Sequence, residues 1–488
     1  MLRSKKLFAL TAAGALVLAA CGSDDNSSSD TAAPAGTESA GTEAPAGTEA
    51  PAGTEAPAGT ESAGTEAPAG TEAPADTGAS GGEAFAVDTS ACDDPDAATA
   101  PIEGNIKIGS SIPLSGGPAV LFAPFGAGMQ AYIDSYNAEN GGVNGQQLEL
   151  VVKDDQYTAD LTKANVDELV FDDQVSLLSG IIGSANNLAV QADLNAQCIP
   201  QLYASTGAPN WGDVENNPWT SGLLVPYAIE SEVWAQYVAE TYGEGATVAL
   251  FTVNNEFGAA YVEAFTKSAE AHGIEIVAEE SIEAADSGAP SGQMTNIVAA
   301  APDAILAVPL GAQCIAFMTE LGNAKAANPD FNPDTYLTAT CANKIFFGAV
   351  SNGGSTGVFT SSNLKDVNNP DVVAADEKAS KYMAAFEAAA PDADPGGIGA
   401  AGWLAMELTV QAIQEASDAG NLSREGIINA VRNIDYKASL LRDGLNFKMG
   451  PDDGYIAEGT QLTQWDGTGF VDVGSVVDLE GSLGVFGG

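Results

Sequence analysis

From residue 105 onward, short apolar runs alternate with stretches in which apolar residues recur every three or four positions. IKIGSSIPL (106–114) predicts a strand; Met129, Tyr132, Ile133 and Tyr136 then follow at helical spacing, and Gly141-Gly142 predicts the end of that helix. The same pattern predicts strands at LELVV (148–152), VSLLSGII (175–182) and IPQLYAS (199–205). Between them fall a helix containing Val166, Leu169 and Val170 and a second helix near 187–196. The alternation restarts after Pro226, with a helix at 233–242, a strand at TVALFTV (247–253) and a helix carrying Phe257, Tyr261 and Phe265. Further strands are predicted at IEIVAEE (274–280), DAILAVPLG (303–311), TYLTATC (335–341) and GVFTSS (357–362), with a helix holding Ile315 and Met318 among them. Late in the chain Trp403, Met406, Val410 and Ile413 share one helical face, and Ile427, Val431 and Ile434 another. Strands interleaved with helices predict right-handed βαβ units in parallel sheets. About 400 residues exceed one typical core, so two lobes are expected.

The N-terminal part of the chain has a different character. MLRSKKLFALTAAGALVLAAC supplies a cationic start (Arg3, Lys5, Lys6) and an apolar stretch too short to span a bilayer comfortably, which marks residues 1–20 as an export signal. Leu18-Ala19-Ala20-Cys21 resembles the lipobox of bacterial lipoproteins, which implies cleavage before Cys21 and a diacylglycerol on its sulfur. Anchoring by two or more acyl chains would then hold the protein on the outer face of the cytoplasmic membrane. Residues 21–83 are dominated by APAGTE and its variants, without aromatic or branched apolar side chains. Such a segment cannot bury a core and is expected to be a disordered tether. Solenoid repeats are longer and carry a core residue.

The 66 acidic and 17 basic residues leave a net charge of −49, which argues against nucleic acid as a partner and against attraction to anionic lipid. Lipidation of Cys21 would leave an even set, Cys92, Cys198, Cys314 and Cys341, with three possible pairings in an oxidising compartment. Cys314 and Cys341 both fall at predicted strand ends of the same half, which favours that pair and leaves Cys92 with Cys198; free buried cysteines are the alternative.

Motifs for catalysis are weak. GIGAAG (397–402) matches the glycine spacing of a dinucleotide loop but follows PDADPG rather than a strand. PDADPGG (391–397) lacks the later ligands of a calcium loop and reads as a turn. The single histidine, His272, falls in the helix-ending AHGIEI and suits a capping or surface role. With no Walker motif and no histidine-rich cluster, neither an enzyme nor a cofactor or metal site is expected.

IKIGSSIPLSGGPA, IDSYNAENGGVNGQQLELVVKDDQYTAD, LLSGIIGSANN and PQLYASTGAPNW, in this order and spacing, resemble the leucine/isoleucine/valine-binding protein family, the type I solute-binding proteins of ABC transporters. The resemblance covers roughly residues 104–475 and implies a two-lobed α/β fold with parallel sheets flanked by helices and a ligand cleft between lobes. Crossings near Leu223, Asn363 and Ser439 would assign 104–223 and 364–438 to an N-lobe and 224–363 and 439–477 to a C-lobe. Residues 84–103 then lead in and 478–488 form a tail.

In open parallel sheets ligands sit beyond the carboxyl ends of strands, where helix N-termini attract anions. By resemblance, Ser184 and Thr206 would donate to a ligand carboxylate and Ala204 would offer its carbonyl to an ammonium group. In the other lobe Phe257, Leu310 and Thr340 occupy positions where amino-acid binders of the family commonly carry a tyrosine, a further aromatic and a glutamate. Phe122 could pack on the ligand body. A buried ammonium without an acidic partner is costly, so among small amino acids and related carboxylates or amides, a carboxylate or amide with an apolar body is favoured over a zwitterionic amino acid. The implied function is capture by hinge closure and delivery to an ABC permease by a monomeric protein. A ligand sensor for a membrane signalling partner is the alternative.

Overall fold

The computed structural model describes residues 84–483. The export signal, Cys21 and the repeat segment lie outside the described residues. The first sheet is built from β1 (Ile106–Ile112), β2 (Leu148–Asp154), β3 (Leu177–Ser179), β4 (Gln201–Ala204) and β5 (Thr220–Gly222), all parallel, in the order β2-β1-β3-β4-β5. Its helices are α1 (Pro95–Thr99), α2 (Ala119–Asn140), α3 (Ala159–Phe171) and α4 (Ser184–Ala196). Gly141 ends α2 in the left-handed conformation, as the glycine pair predicts.

The second sheet takes up the chain after β5. It comprises α5 (Tyr227–Tyr242), β6 (Thr247–Asn254), α6 (Glu256–His272), β7 (Glu275–Glu283), α7 (Ser291–Ala300), β8 (Ala304–Ala307), α8 (Ala312–Ala327), β9 (Asp334–Leu337), α9 (Lys344–Ala349) and β10 (Phe359–Ser362). The chain then returns to the first sheet through α10 (Pro370–Ala375), α11 (Glu377–Ala389), α12 (Ile398–Asp418) and α13 (Arg424–Arg432). After the short pair β11 (Asp435–Tyr436) and β12 (Phe447–Lys448), it re-enters the second sheet as antiparallel β13 (Gly459–Trp465), β14 (Phe470–Asp472) and β15 (Val477–Asp478). The order is β14-β13-β10-β9-β8-β6-β7, with β15 beside β13.

The strands predicted at 175–182, 303–311 and 335–341 are shorter than their apolar runs. β3 stops where Gly180 turns with φ 71°; a Cβ there would come within 3.0 Å of Phe125. β9 gives way to a 3-10 turn at Ala339–Cys341. These early strand ends bring their following residues to one edge of each sheet, where the candidate site lies.

GIGAAG opens α12 and serves helix packing. A Cβ on Gly402 would lie 2.0 Å from the Phe125 carbonyl oxygen, and one on Gly128 of α2 would lie 2.1 Å from that of Gly399. The glycines therefore let α12 and α2 touch backbone to backbone. His272, at the end of α6, binds Glu232 Oε1 through Nε2 at 2.7 Å. Disulfides join Cys92 to Cys198 and Cys314 to Cys341, with Cα separations of 5.4 and 5.9 Å. Among the described residues no helix is long and apolar enough to cross a membrane.

Candidate functional site: a cavity between the two sheets

A cavity of about 110 Å³ opens between the carboxyl-terminal edges of the two sheets. From the first sheet it is lined by Phe122 and Phe125 of α2, Tyr157, Ile182, Gly183 and Ser205. From the second come Tyr227, Phe257, Leu310, Thr340 and Ser361, while Ser362 to Leu364 and Gly397, Ile398 and Ala401 close the side where the chain passes between sheets. Among the described residues no Asp, Glu, Lys, Arg or His lines it. Phe122 stacks on Tyr157 with centroids 5.6 Å apart, and Phe257 meets Tyr227 edge-on at 5.4 Å. Of the residues singled out in the sequence, Phe122, Phe257, Leu310 and Thr340 line the cavity, whereas Ser184, Ala204 and Thr206 lie behind its wall.

Ser184 and Thr206 are engaged with each other. Their hydroxyls are 2.7 Å apart, and Thr206 continues to the Tyr227 hydroxyl at 3.2 Å, all of them buried. This chain ties the turn after β4 to the start of α4 and to α5. The N-terminus of α4, preceded by cavity-lining Gly183, has no side-chain cap, and its positive end lies next to the cavity wall. Ser205 Oγ is buried in the cavity wall without a hydrogen-bond partner. The first-sheet wall thus carries neutral donors.

The second-sheet wall contains a feature that strand-end reasoning does not reveal. Glu230, in the first turn of α5, is 3% exposed and lies one layer behind the cavity. Its Oε1 accepts from the Ala339 N–H at 3.0 Å and from the Ser361 hydroxyl; its Oε2 accepts from the Tyr261 hydroxyl. Tyr261 also meets Thr338 Oγ1 at 2.8 Å. Burial pushes the Glu230 carboxyl above its ordinary range, opposed by the donors from Ser361, Tyr261 and Ala339. A second cavity of about 460 Å³ adjoins the first through shared Tyr157 and Leu310.

Two α/β sheets, one parallel and one parallel apart from its β13–β15 end, with a cleft at their carboxyl ends and a chain that crosses repeatedly between them, define the type I periplasmic-binding-protein fold. Residues 105–469 match the family described as periplasmic binding protein, and the chain belongs to that family. Its members bind substrates and are not enzymes, and the family implies an extracytoplasmic location. No curated protein sequence matches the chain. Similar solved structures include a branched chain amino acid ABC transporter protein from Thermus thermophilus with bound valine, 18% identical, TM-score 0.66, covering 79% of this chain and 100% of that one. A solute-binding protein from R. palustris in complex with benzoate is 18% identical with TM-score 0.65, covering 77% and 98%. A fatty acid ABC transporter substrate-binding protein from Thermomonospora curvata is 18% identical with TM-score 0.66, covering 77% and 93%.

Proposed function

We propose that the protein is a lipid-anchored solute-binding component of an ABC transporter. It captures a small monocarboxylate or amide with an apolar body and delivers it to a permease. The observation that carries this reading is the uncharged cavity wall with an uncapped helix N-terminus at Gly183. A carboxylate can be held there by backbone N–H groups and neutral hydroxyls without a buried cation. A free ammonium would meet no carboxylate in the wall, because Glu230 is set back and already accepts three donors. The 110 Å³ volume is that of a small solute, somewhat below the dry cavity of about 150 Å³ that holds benzene, and the adjoining 460 Å³ cavity leaves room for a longer body. Valine and benzoate, bound in two of the similar structures, and the fatty acid for which a third is named each join a carboxylate to an apolar body. Both walls belong to different sheets, so a ligand that bridges them favours the closed arrangement, and closure is the signal a permease reads. Cys21 would supply the anchor.

The test is a thermal-shift panel on the mature chain, residues 21–488, with amino acids, their deaminated acids and amides, aromatic acids and sugars. A ligand at 100 times its Kd adds about 2.7 kcal/mol. Stabilisation by monocarboxylates or amides is expected. Stabilisation by branched-chain amino acids but not by their deaminated counterparts would overturn the uncharged-ligand-end reading, and a response to sugars alone would overturn the carboxylate reading altogether.

A further inference from the structure

Glu230 determines which way the protons point on the second-sheet wall. The Ala339 N–H can only donate, so it marks Oε1 of Glu230 as an accepting oxygen. The Ser361 hydroxyl donates its one proton to this same oxygen. If the carboxyl itself takes up a proton, the free position is on Oε2, toward Tyr261, and the Ser361 bond keeps its direction. When ionised, Glu230 receives the Tyr261 proton at Oε2, so Thr338, 2.8 Å from that hydroxyl, donates to Tyr261. In both states Ser361, which lines the cavity, has no proton left to offer a ligand. Ser361 can present only lone pairs, backed by a buried carboxyl.

We infer that Ser361, positioned by Glu230, is a hydrogen-bond acceptor on the second-sheet wall of the cavity and selects solutes bearing a neutral O–H or N–H donor on the side facing that sheet. This rests on the reading of the α4 end as the carboxylate site. The preferred solute is then a monocarboxylate with a hydroxyl, phenol or carboxamide at its other end. A second carboxylate or an ether at that end is disfavoured, because its lone pairs would face those of Ser361 and the Glu230 carboxyl behind them. Glu230 touches no ligand; it acts by holding the Ser361 proton away from the cavity.

The test uses isothermal titration of the mature chain with 3- and 4-hydroxybenzoate and 4-hydroxybutyrate, each beside its parent acid and its methyl ether. At least one hydroxy acid is expected to bind ten times or more tighter than both its parent and its ether. In Ser361→Ala the ratio should fall to within about threefold. Glu230→Gln keeps an accepting oxygen for Ala339 and Ser361 and should retain the preference. Equal binding of hydroxy acid, parent and ether by the wild type overturns this inference and leaves the carboxylate reading intact. Binding by none of the acids overturns both. The wild-type ratios decide the matter even if Ser361→Ala does not fold, and an unchanged ratio in a folded Ser361→Ala protein removes the assignment of Ser361.

Discussion

Replacing Gly402 with alanine pits two opposing terms against each other, and the sign of the result reports on the contact between α2 and α12. In a helix interior, alanine is favoured over glycine by about 0.8–1.0 kcal/mol. Here the new Cβ would fall 2.0 Å from the Phe125 carbonyl oxygen, whereas real Cβ contacts essentially never come below 3.0 Å, so the helices must separate by at least about 1 Å. The obstructing atoms are backbone, which no rotamer change relieves. Overpacking of this kind costs about 1–3 kcal/mol and sometimes more, and the absence of a flexible neighbour puts this site at the upper end. The expected net effect is a loss of about 2 kcal/mol, read from urea unfolding of wild type and Gly402→Ala side by side. Gly292, in α7, has open space around its Cβ position, so Gly292→Ala should instead gain up to about 1 kcal/mol. Ligand affinity should fall in Gly402→Ala as well, because Phe122 and Phe125 of α2 and Ile398 and Ala401 of α12 line the same cavity. A Gly402→Ala protein as much stabilised as Gly292→Ala would refute the backbone-contact reasoning.

Thr206→Val should lower stability by about 1–3 kcal/mol in urea unfolding, because a buried methyl leaves Ser184, Tyr227 and the Ala208 N–H without their shared partner. An unchanged midpoint would show that the hydroxyl chain does not hold the α4 end in place. Glu458 is buried, and this burial, with repulsion from Asp453 and Glu480, pushes its carboxyl from 4.5 up to about 7. A raised folded-state value means that the folded protein holds an extra proton between those limits. Its contribution is therefore full below about pH 4.5 and is lost as pH rises through about 7. Wild type should lose up to about 3 kcal/mol relative to Glu458→Gln between pH 4.5 and 7.5, in paired unfolding curves. Parallel pH profiles for the two proteins would contradict this.

The parallel βαβ architecture was legible because it is written in local periodicity. β1, β2 and β6 and helices α2, α5, α6 and α12 follow apolar patterns at period 2, 3.6 or as continuous buried runs. Other elements escape that alternation. α7 and α11 present a narrow apolar line to their neighbours: α11 buries only Ala379, Tyr382 and Phe386, and α7 only Met294 and Ile297. β13 continues the second sheet antiparallel to β10, a pairing set by the crossing of the chain near 439–458 and by no signal within β13 itself. The lengths of β3 and β9 depend on tertiary fit, as the approach of Phe125 to Gly180 shows. GIGAAG illustrates the converse: its spacing was conspicuous, and only the packing of α2 explains it.

The site divides along the same line. Strand ends announce where a cleft can form, and the family resemblance added Phe257, Leu310 and Thr340 to Phe122, which follows the first strand; all four line the cavity. Which polar groups face the solute is a different question, because each hydroxyl has one proton and that proton goes to its nearest acceptor. Ser184 and Thr206 look from the sequence like donors to a ligand, yet they satisfy each other and Tyr227 within the wall. Ser205, one position from Thr206, is the hydroxyl whose oxygen stays without a partner there. Glu230 lies in a helix 31 residues from Tyr261 and 131 from Ser361, so no spacing rule could join them. Their meeting depends on how α5 docks against β10 and the turn after β9. Selectivity, on the proposed reading of this cavity, resides in the direction of a few hydrogen bonds fixed by buried neighbours, and composition alone cannot reveal that direction.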